Sequence, residues 1–438
     1  MSSSQRRVVV TGIGVIGPLG NTKEALWDAL LARQSGVRRQ DQISETDFPL
    51  PFAAAALEFD GKIDAFGPLE KDTKKAIRKA LKVMCRESQM GVAAAQRALA
   101  DAGLTRGSFD PERVGITYGS DYMLTVPEEF NDGVLECLDP EGRFEFSRWA
   151  TDGMPKMPPL WLLKYLPNMP ASHLAIFNDL RGPNNSLTLR EAASLAAVGE
   201  AFQTIRRGSA DAMLAGATGT RLHPMKAVHS LQQEEIARGS VDPAQASRPF
   251  DLKRTGMVLG EGAGAVILEE LSHAEARGAT IYGEVVSAAT SSAADRRRVA
   301  RRDRAMANAM RTAIELGGLQ PDEVGHVHAH GLSTRSADVE EARAIGEVFA
   351  ERARPVPVTA AKSYFGNLGA GGGVIELACS LLALWQGRLF PTLNYETPDP
   401  ECPLAVVTAH DARPGEGFLT LNVTPQGQAA AVAVRRYA

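Results

Sequence analysis

Short β-branched and apolar runs alternate with longer Ala-rich stretches along the whole chain. Apolar runs without polar alternation mark strands buried on both faces, so the pattern predicts an α/β protein. In the first part, strands are expected at Val8 to Thr11, Val114 to Tyr118, Asp211 to Ala215 and Gly264 to Leu268. Helices are expected at Thr22 to Leu31, Ser88 to Ala102 (stopped by Gly103) and Ala192 to Arg206. A second series follows, with strands at Tyr282 to Val286, Val324 to His328 and Val356 to Ala360, and a terminal strand at Leu419 to Val423. Its helices are Ala305 to Leu316, Val339 to Phe349 and Val374 to Trp385. The order of elements echoes the first series although the residues do not repeat. Two similar halves are therefore expected, residues 1–272 and 273–438, with the boundary near Glu270 to Thr280. Residues 121–165, rich in Pro, Phe and Trp, read as an insertion that forms a lid or an interface.

Composition narrows the class. The 438 residues are 44% hydrophobic and 23% charged, as in a water-soluble globular protein. A formal net charge of −4 argues against general nucleic-acid binding, which needs an excess of Lys and Arg. Cys85, Cys137, Cys379 and Cys402 are scattered without metal-ligand spacing, which fits a reducing cytoplasm and no zinc site. The start, Met1-Ser-Ser-Ser-Gln-Arg-Arg, lacks the apolar core of a leader peptide, and no window approaches about 18 apolar residues, so no membrane span is expected.

Two glycine motifs resemble nucleotide sites without qualifying. Gly12-Ile13-Gly14-Val15-Ile16-Gly17 follows a strand, but Pro18 stands where a phosphate-binding helix should begin, so a tight glycine turn is expected instead. Gly260-Glu261-Gly262-Ala263-Gly264 leads into a strand, where small residues let backbones approach closely. Arg296 to Arg304 holds six arginines in nine residues, either a solvated loop and helix start or a docking patch for an acidic partner.

Five segments together resemble the β-ketoacyl synthases of the thiolase-like superfamily. They are VVVTGIGVIGPLGN at 8–21, LPNMPASHLAIFNDLRGP at 166–183, ASRPFDLKRTGMVLGEGAGAVILEE at 246–270, HAHGLST at 328–334 and AAKSYFGNLGAGG at 360–372. The resemblance implies a five-layered α/β/α/β/α fold built from two similar halves, usually dimeric. It also implies a site between the halves for an acyl chain on phosphopantetheine, which an acyl carrier protein delivers, with no tightly bound cofactor. In active members a Cys at a helix N-terminus takes the acyl group and two histidines promote decarboxylation of a malonyl unit.

Residue by residue, His330 matches the first histidine and Lys362 the lysine of the second motif. Asp338 and Glu341 fall at the supporting acidic positions, and Thr334 matches one of two pantetheine-gripping threonines. Five departures accompany these matches. Glu191 stands where the nucleophilic Cys is expected, Asn367 replaces the second histidine, and Leu332 replaces the other threonine. Asn422 to Gln428, with Pro425, replaces a Phe-Gly-rich gate, and the 121–165 insertion lies where the family approaches its dimer interface.

Thr188-x-x-Glu191 also reads as a capping box, in which Glu191 only closes a helix start. The other readings make its carboxylate a general base with a burial-raised pKa, or an anionic mimic of an acylated site. A carboxylate cannot form the stable thioester that a thiolate forms. The leading expectation is thus a non-condensing subunit resembling the chain-length factors that pair with an active ketosynthase. The alternatives are an enzyme with altered chemistry on acyl or malonyl thioesters using Glu191, His330 and Asn367, or a binder of acyl groups or carrier protein without turnover.

Overall fold

The structure is a computed structural model that describes residues 6–39, 50–239, 241–409 and 411–437. The reading of Met1 to Gln5 lies outside the described residues. Ten strands make two copies of one pattern. The first copy consists of β1 (Val8–Ile16), β2 (Val114–Ser120), β3 (Asn184–Thr188), β4 (Ala212–Thr220) and β5 (Leu259–Glu270). The second consists of β6 (Gly283–Ser292), β7 (His326–His328), β8 (Pro357–Thr359), β9 (Gly417–Val423) and β10 (Gln428–Arg435). The spatial orders are β1-β5-β4-β2-β3 and β6-β10-β9-β7-β8. Every pairing has its counterpart in the other half. β5 is antiparallel to β1 and β4 while β2 runs parallel to β4 and β3; β10 and β7 repeat this with their own neighbours. The halves are joined where Val8–Val10 of β1 pairs antiparallel with Gly283–Val285 of β6.

Three helices repeat in the same way: α1 (Arg86–Asp101), α2 (Met169–Asn178) and α3 (Ala193–Arg206), then α4 (Arg302–Leu316), α5 (Arg335–Val348) and α6 (Gly372–Gln386). α1 covers the outer face of the first sheet, α4 the outer face of the second, and α2 and α5 pack beside them. α3 and α6 touch strands of both halves and form the middle layer. Their sequences explain the position: every residue from Gly372 to Leu384 is buried, so α6 has no face to offer water. The arrangement is the five-layered α/β/α/β/α fold.

Two expectations need correction. The glycine turn is confined to Gly17–Gly20, closed by two mutual backbone bonds of 3.1 Å, whereas Gly12 and Gly14 lie inside β1, against the α1 backbone, and a Cβ at Gly14 would collide with the Ala94 carbonyl oxygen. Leu419 to Val423 is not the terminal strand, because β10 follows; its QAAAVAVR sequence is poor in strong β-formers and is recruited by burial between β6 and β9. Arg296 to Arg304 is a solvated loop and helix start, the first of its two readings. Arg296, Arg297 and Arg298 are exposed on a turn organised by Asp295, whereas Arg302 is half-buried and pairs with Glu234 at 2.9 Å and Glu340 at 2.8 Å.

Substituting Gly14→Ala is expected to lower stability by about 1–3 kcal/mol, because strand and helix must separate to admit one methyl group. Denaturant unfolding followed by circular dichroism measures it; a wild-type midpoint would show that the two backbones have room to spare.

Candidate functional site

Glu191 reaches the middle layer through a sharp change of chain direction. Strand β3 ends at Thr188, Arg190 takes a left-handed φ of 52°, and a single 3-10 turn, Arg190–Ala192, leads into α3. The capping box does not form. Thr188 is exposed on the edge strand, no side chain caps the turn or α3, and the Glu191 carboxylate points inward with the residue only 4% exposed.

There it meets Arg221, which follows β4 and is 1% exposed. Arg221 Nη2 donates to Glu191 Oε1, and Arg221 Nη1 lies 2.9 Å from Asp121 Oδ2. Asn367 Nδ2 donates to the same Glu191 Oε1 at 3.2 Å, and Arg190 Nε stands 3.6 Å from Oε2. Burial pushes the Glu191 carboxyl up, but the guanidinium groups of Arg221 and Arg190 outweigh it and hold the group down at about 2. The expectation of a burial-raised base is therefore overturned. A carboxylate held this low is a poor proton acceptor at neutral pH.

The second half supplies the opposite wall. His330 follows β7, and Lys362 opens the short helix Lys362–Phe365, after which Gly366, at φ 66°, turns the chain to Asn367. Lys362 Nζ is bound to Glu376 of α6 and lies 3.3 Å from His330 Nδ1. Asn422 of β9 donates to Glu376 Oε2 at 2.7 Å and also lies 3.3 Å from His330 Nδ1. Two donors on Nδ1 assign the ring proton to Nε2. Burial, with the Lys362 charge behind it, pushes the imidazole well below its usual range, so His330 is neutral.

The supporting acids sit behind this wall. Glu341 accepts the backbone N–H groups of His330 at 2.6 Å and Gly331 at 2.7 Å, and burial still pushes it up to about 8. Asp338 accepts from Phe250 N at 2.8 Å and faces Arg254 at 3.6 Å, with burial raising it to about 6. Thr334 is buried and its hydroxyl caps α5 by accepting from Ala337 N, while Leu332 lies on the wall itself.

Glu191, His330, Asn367, Leu332, Glu234 and Arg302 thus border one narrow cleft. Of these, the sequence reading named Glu191, His330, Asn367 and Leu332. It missed Arg221, Asp121 and Glu376, and named Asn422 only as part of the replaced gate. Two of them left a signal: Glu376 is the only charge in Gly372–Gln386, and Asn422 is the lone amide of an apolar strand.

A fold of two equivalent halves with this cleft between them defines a condensing-enzyme architecture. Residues 5–274 match the N-terminal domain model of β-ketoacyl synthases and residues 282–396 the C-terminal domain model, so the chain belongs to the β-ketoacyl synthase family. It is 33% identical over 404 residues to a 3-oxoacyl-[acyl-carrier-protein] synthase 2 of Synechocystis, covering 92% of this chain and 91% of that one. It is 35% identical over 412 residues to the granaticin polyketide putative β-ketoacyl synthase 1 of Streptomyces violaceoruber, covering 93% of each. Among solved structures it resembles the ishigamide ketosynthase/chain length factor (TM-score 0.81, 27% identity, 99% and 100% coverage). It also resembles a type II polyketide ketosynthase bound to a hexaketide, in complex with its acyl-carrier protein (TM-score 0.82, 25% identity, 99% and 100% coverage). The chain is a ketosynthase-like protein of fatty-acid or polyketide synthesis.

Glu191→Gln is expected to cost about 3–5 kcal/mol above pH 5, because Arg221 and Arg190 lose a buried counter-charge. The sign of the pH dependence follows from a folded carboxyl near 2 against about 4.5 unfolded. Its contribution is complete above pH 4.5 and is lost as pH falls towards 2, so the gap between wild type and variant narrows on acidification. Thermal unfolding across pH 2–6 measures it; a gap that stays constant down to pH 2 would contradict the ionised state.

Proposed function

We propose that this protein is a non-condensing, chain-length-factor-like subunit that pairs with an active ketosynthase and shares its acyl carrier protein. The observation that carries this reading is the ion-paired, permanently ionised Glu191 at the position expected for the acylated Cys. The free cysteines do not compensate. Cys137, Cys379 and Cys402 are buried, and Cys85 is pushed up to about 11 by burial and by Glu87, so it is protonated at neutral pH.

A partner surface is also available. β3 is the edge of the first sheet, with Asn184, Asn185 and Thr188 exposed and no strand beyond it among the described residues. Next to it, Ile176 of α2 is 71% exposed. The 121–165 segment adds exposed Leu135, Phe146, Leu160 and Leu162, more apolar surface than an isolated subunit usually presents. The subunit is assigned to the cytoplasm on its unpaired cysteines; among the described residues no helix is long and apolar enough to cross a membrane.

A second reading is favoured by one observation: the His330–Lys362–Glu376–Asn422 network is complete, and His330 Nε2–H on the cleft wall is able to donate to a thioester or enolate oxygen. This arrangement suits decarboxylation of a malonyl thioester without acylation.

Offered radiolabelled acyl thioesters, the purified protein is expected to carry no covalent label, and Glu191→Cys to gain it, since a thiol there faces two guanidiniums. Label on the wild-type chain would sink the non-condensing reading. Co-expression with a cysteine-bearing ketosynthase is expected to give a 1:1 complex by size-exclusion chromatography with light scattering. Malonyl thioester decarboxylation by the isolated protein, abolished in His330→Ala and retained in Glu191→Gln, would establish the second reading instead.

A further inference from the structure

Arg221 is one of the buried cations whose hydrogen-bonding capacity is not filled. Lys226, equally buried, has Glu87 on its ammonium, and Arg254 bonds Asp399 and the carbonyl oxygens of Asp251, Thr334 and Arg335. Arg221 has a single hydrogen-bonded carboxylate, that of Glu191. Its Nη1 is within ion-pair distance of Asp121 but misaligned for a hydrogen bond, and its Nε has no hydrogen-bond partner. Asp121 and the backbone bond from Arg221 N to the Gly260 carbonyl (2.8 Å) fix the residue from behind. Gly369, at φ 62°, lets the guanidinium lie against the chain, since a Cβ there would stand 3.3 Å from Nε. Of the two carboxylates it faces, Asp121 and Glu191, only Glu191 borders the cleft, and Arg221 lies directly behind it. A preorganised, desolvated guanidinium behind the wall of a cleft is the ordinary receptor for a carboxylate.

We propose that Arg221 is a carboxylate-binding site opening on the cleft, which the chain keeps occupied with its own Glu191 side chain. Glu191 is then an internal ligand. It excludes from Arg221 any small carboxylate or acyl-linked carboxylate that enters the cleft, and its truncation frees the site for an external one. The proposal does not depend on the subunit's role in synthesis, because its test reads ligand-dependent stability and not turnover.

The test is chemical complementation. Glu191→Ala is purified and its Tm followed against sodium acetate, sodium formate and acetamide at constant ionic strength. Acetate and formate are expected to raise Tm saturably, with half-effect on the order of millimolar, while neutral acetamide does nothing. Wild type is expected not to respond. Glu191→Ala/Arg221→Met/Asp121→Asn, which removes all three charges, is expected to fold and not respond, and Asp121→Asn in the Glu191→Ala background is expected to weaken the half-effect at least tenfold. A reciprocal variant, Arg221→Ala, is expected to be stabilised by millimolar guanidinium ion that leaves wild type unchanged. Equal rescue by acetamide, or an acetate response that survives loss of Arg221, overturns the proposal. So does failure of both single variants to fold in the presence of their complementing ions.

Discussion

The layer between the two sheets is buried, and a charge placed there needs a partner inside the protein. α3 and α6 fill that layer, and the chain enters each of them by equivalent routes, from β3 and from β8. The two entry segments carry Glu191 on one side and Lys362 with Asn367 on the other. Because an uncompensated ion in such a place costs several kcal/mol, each segment recruits a complementary group: Arg221 for Glu191, and Glu376 for Lys362. The cleft is the place where these two paired systems face each other, with Asn367 bonded across to Glu191.

Burial alone does not determine the charge of a side chain in this layer. Glu341, Asp338 and Glu191 are all buried carboxyl groups. Burial dominates the first two and raises them, although Glu341 accepts two backbone N–H groups. Two adjacent guanidiniums reverse the balance at Glu191. The outcome is a fixed anion beside a neutral imidazole, a combination suited to donating a hydrogen bond from His330 and unsuited to nucleophilic attack from position 191.

Much of the fold was readable because buried strands and helices announce themselves by composition over many residues. Ala192 to Arg206 and Val374 to Trp385 were placed within two residues of α3 and α6. Failures came where short-range rules met long-range geometry. The Thr188-to-Glu191 spacing satisfies the capping-box pattern, but Thr188 ends an edge strand and the left-handed Arg190 separates the two groups. The glycines of β1 looked like a turn because nothing local reveals the helix lying on them. Arg221 was invisible for the same reason. Its partners lie 30 and 100 residues away in sequence, and an arginine after a strand is ordinarily solvated.

The hairpin at Thr424–Gln428 has a mechanical implication. It joins β9 directly to β10, and Thr424 and Gln428 close it with two mutual hydrogen bonds, from Thr424 N to the Gln428 carbonyl and from Gln428 N to the threonine hydroxyl. Val423, Thr424 and Pro425 of the cleft wall are therefore clamped to a central sheet. Across from them, Ser230 lies in the helix Pro224–Gln233 and Glu234 caps its end, which Arg190 and Arg302 contact and which is followed by backbone bonds of Glu235 and Ala237 to Met257. One wall of the cleft is thus set by the pairing of a β-sheet, and the facing wall by side-chain bonds of Arg190 to Gln233 and of Arg302 to Glu234.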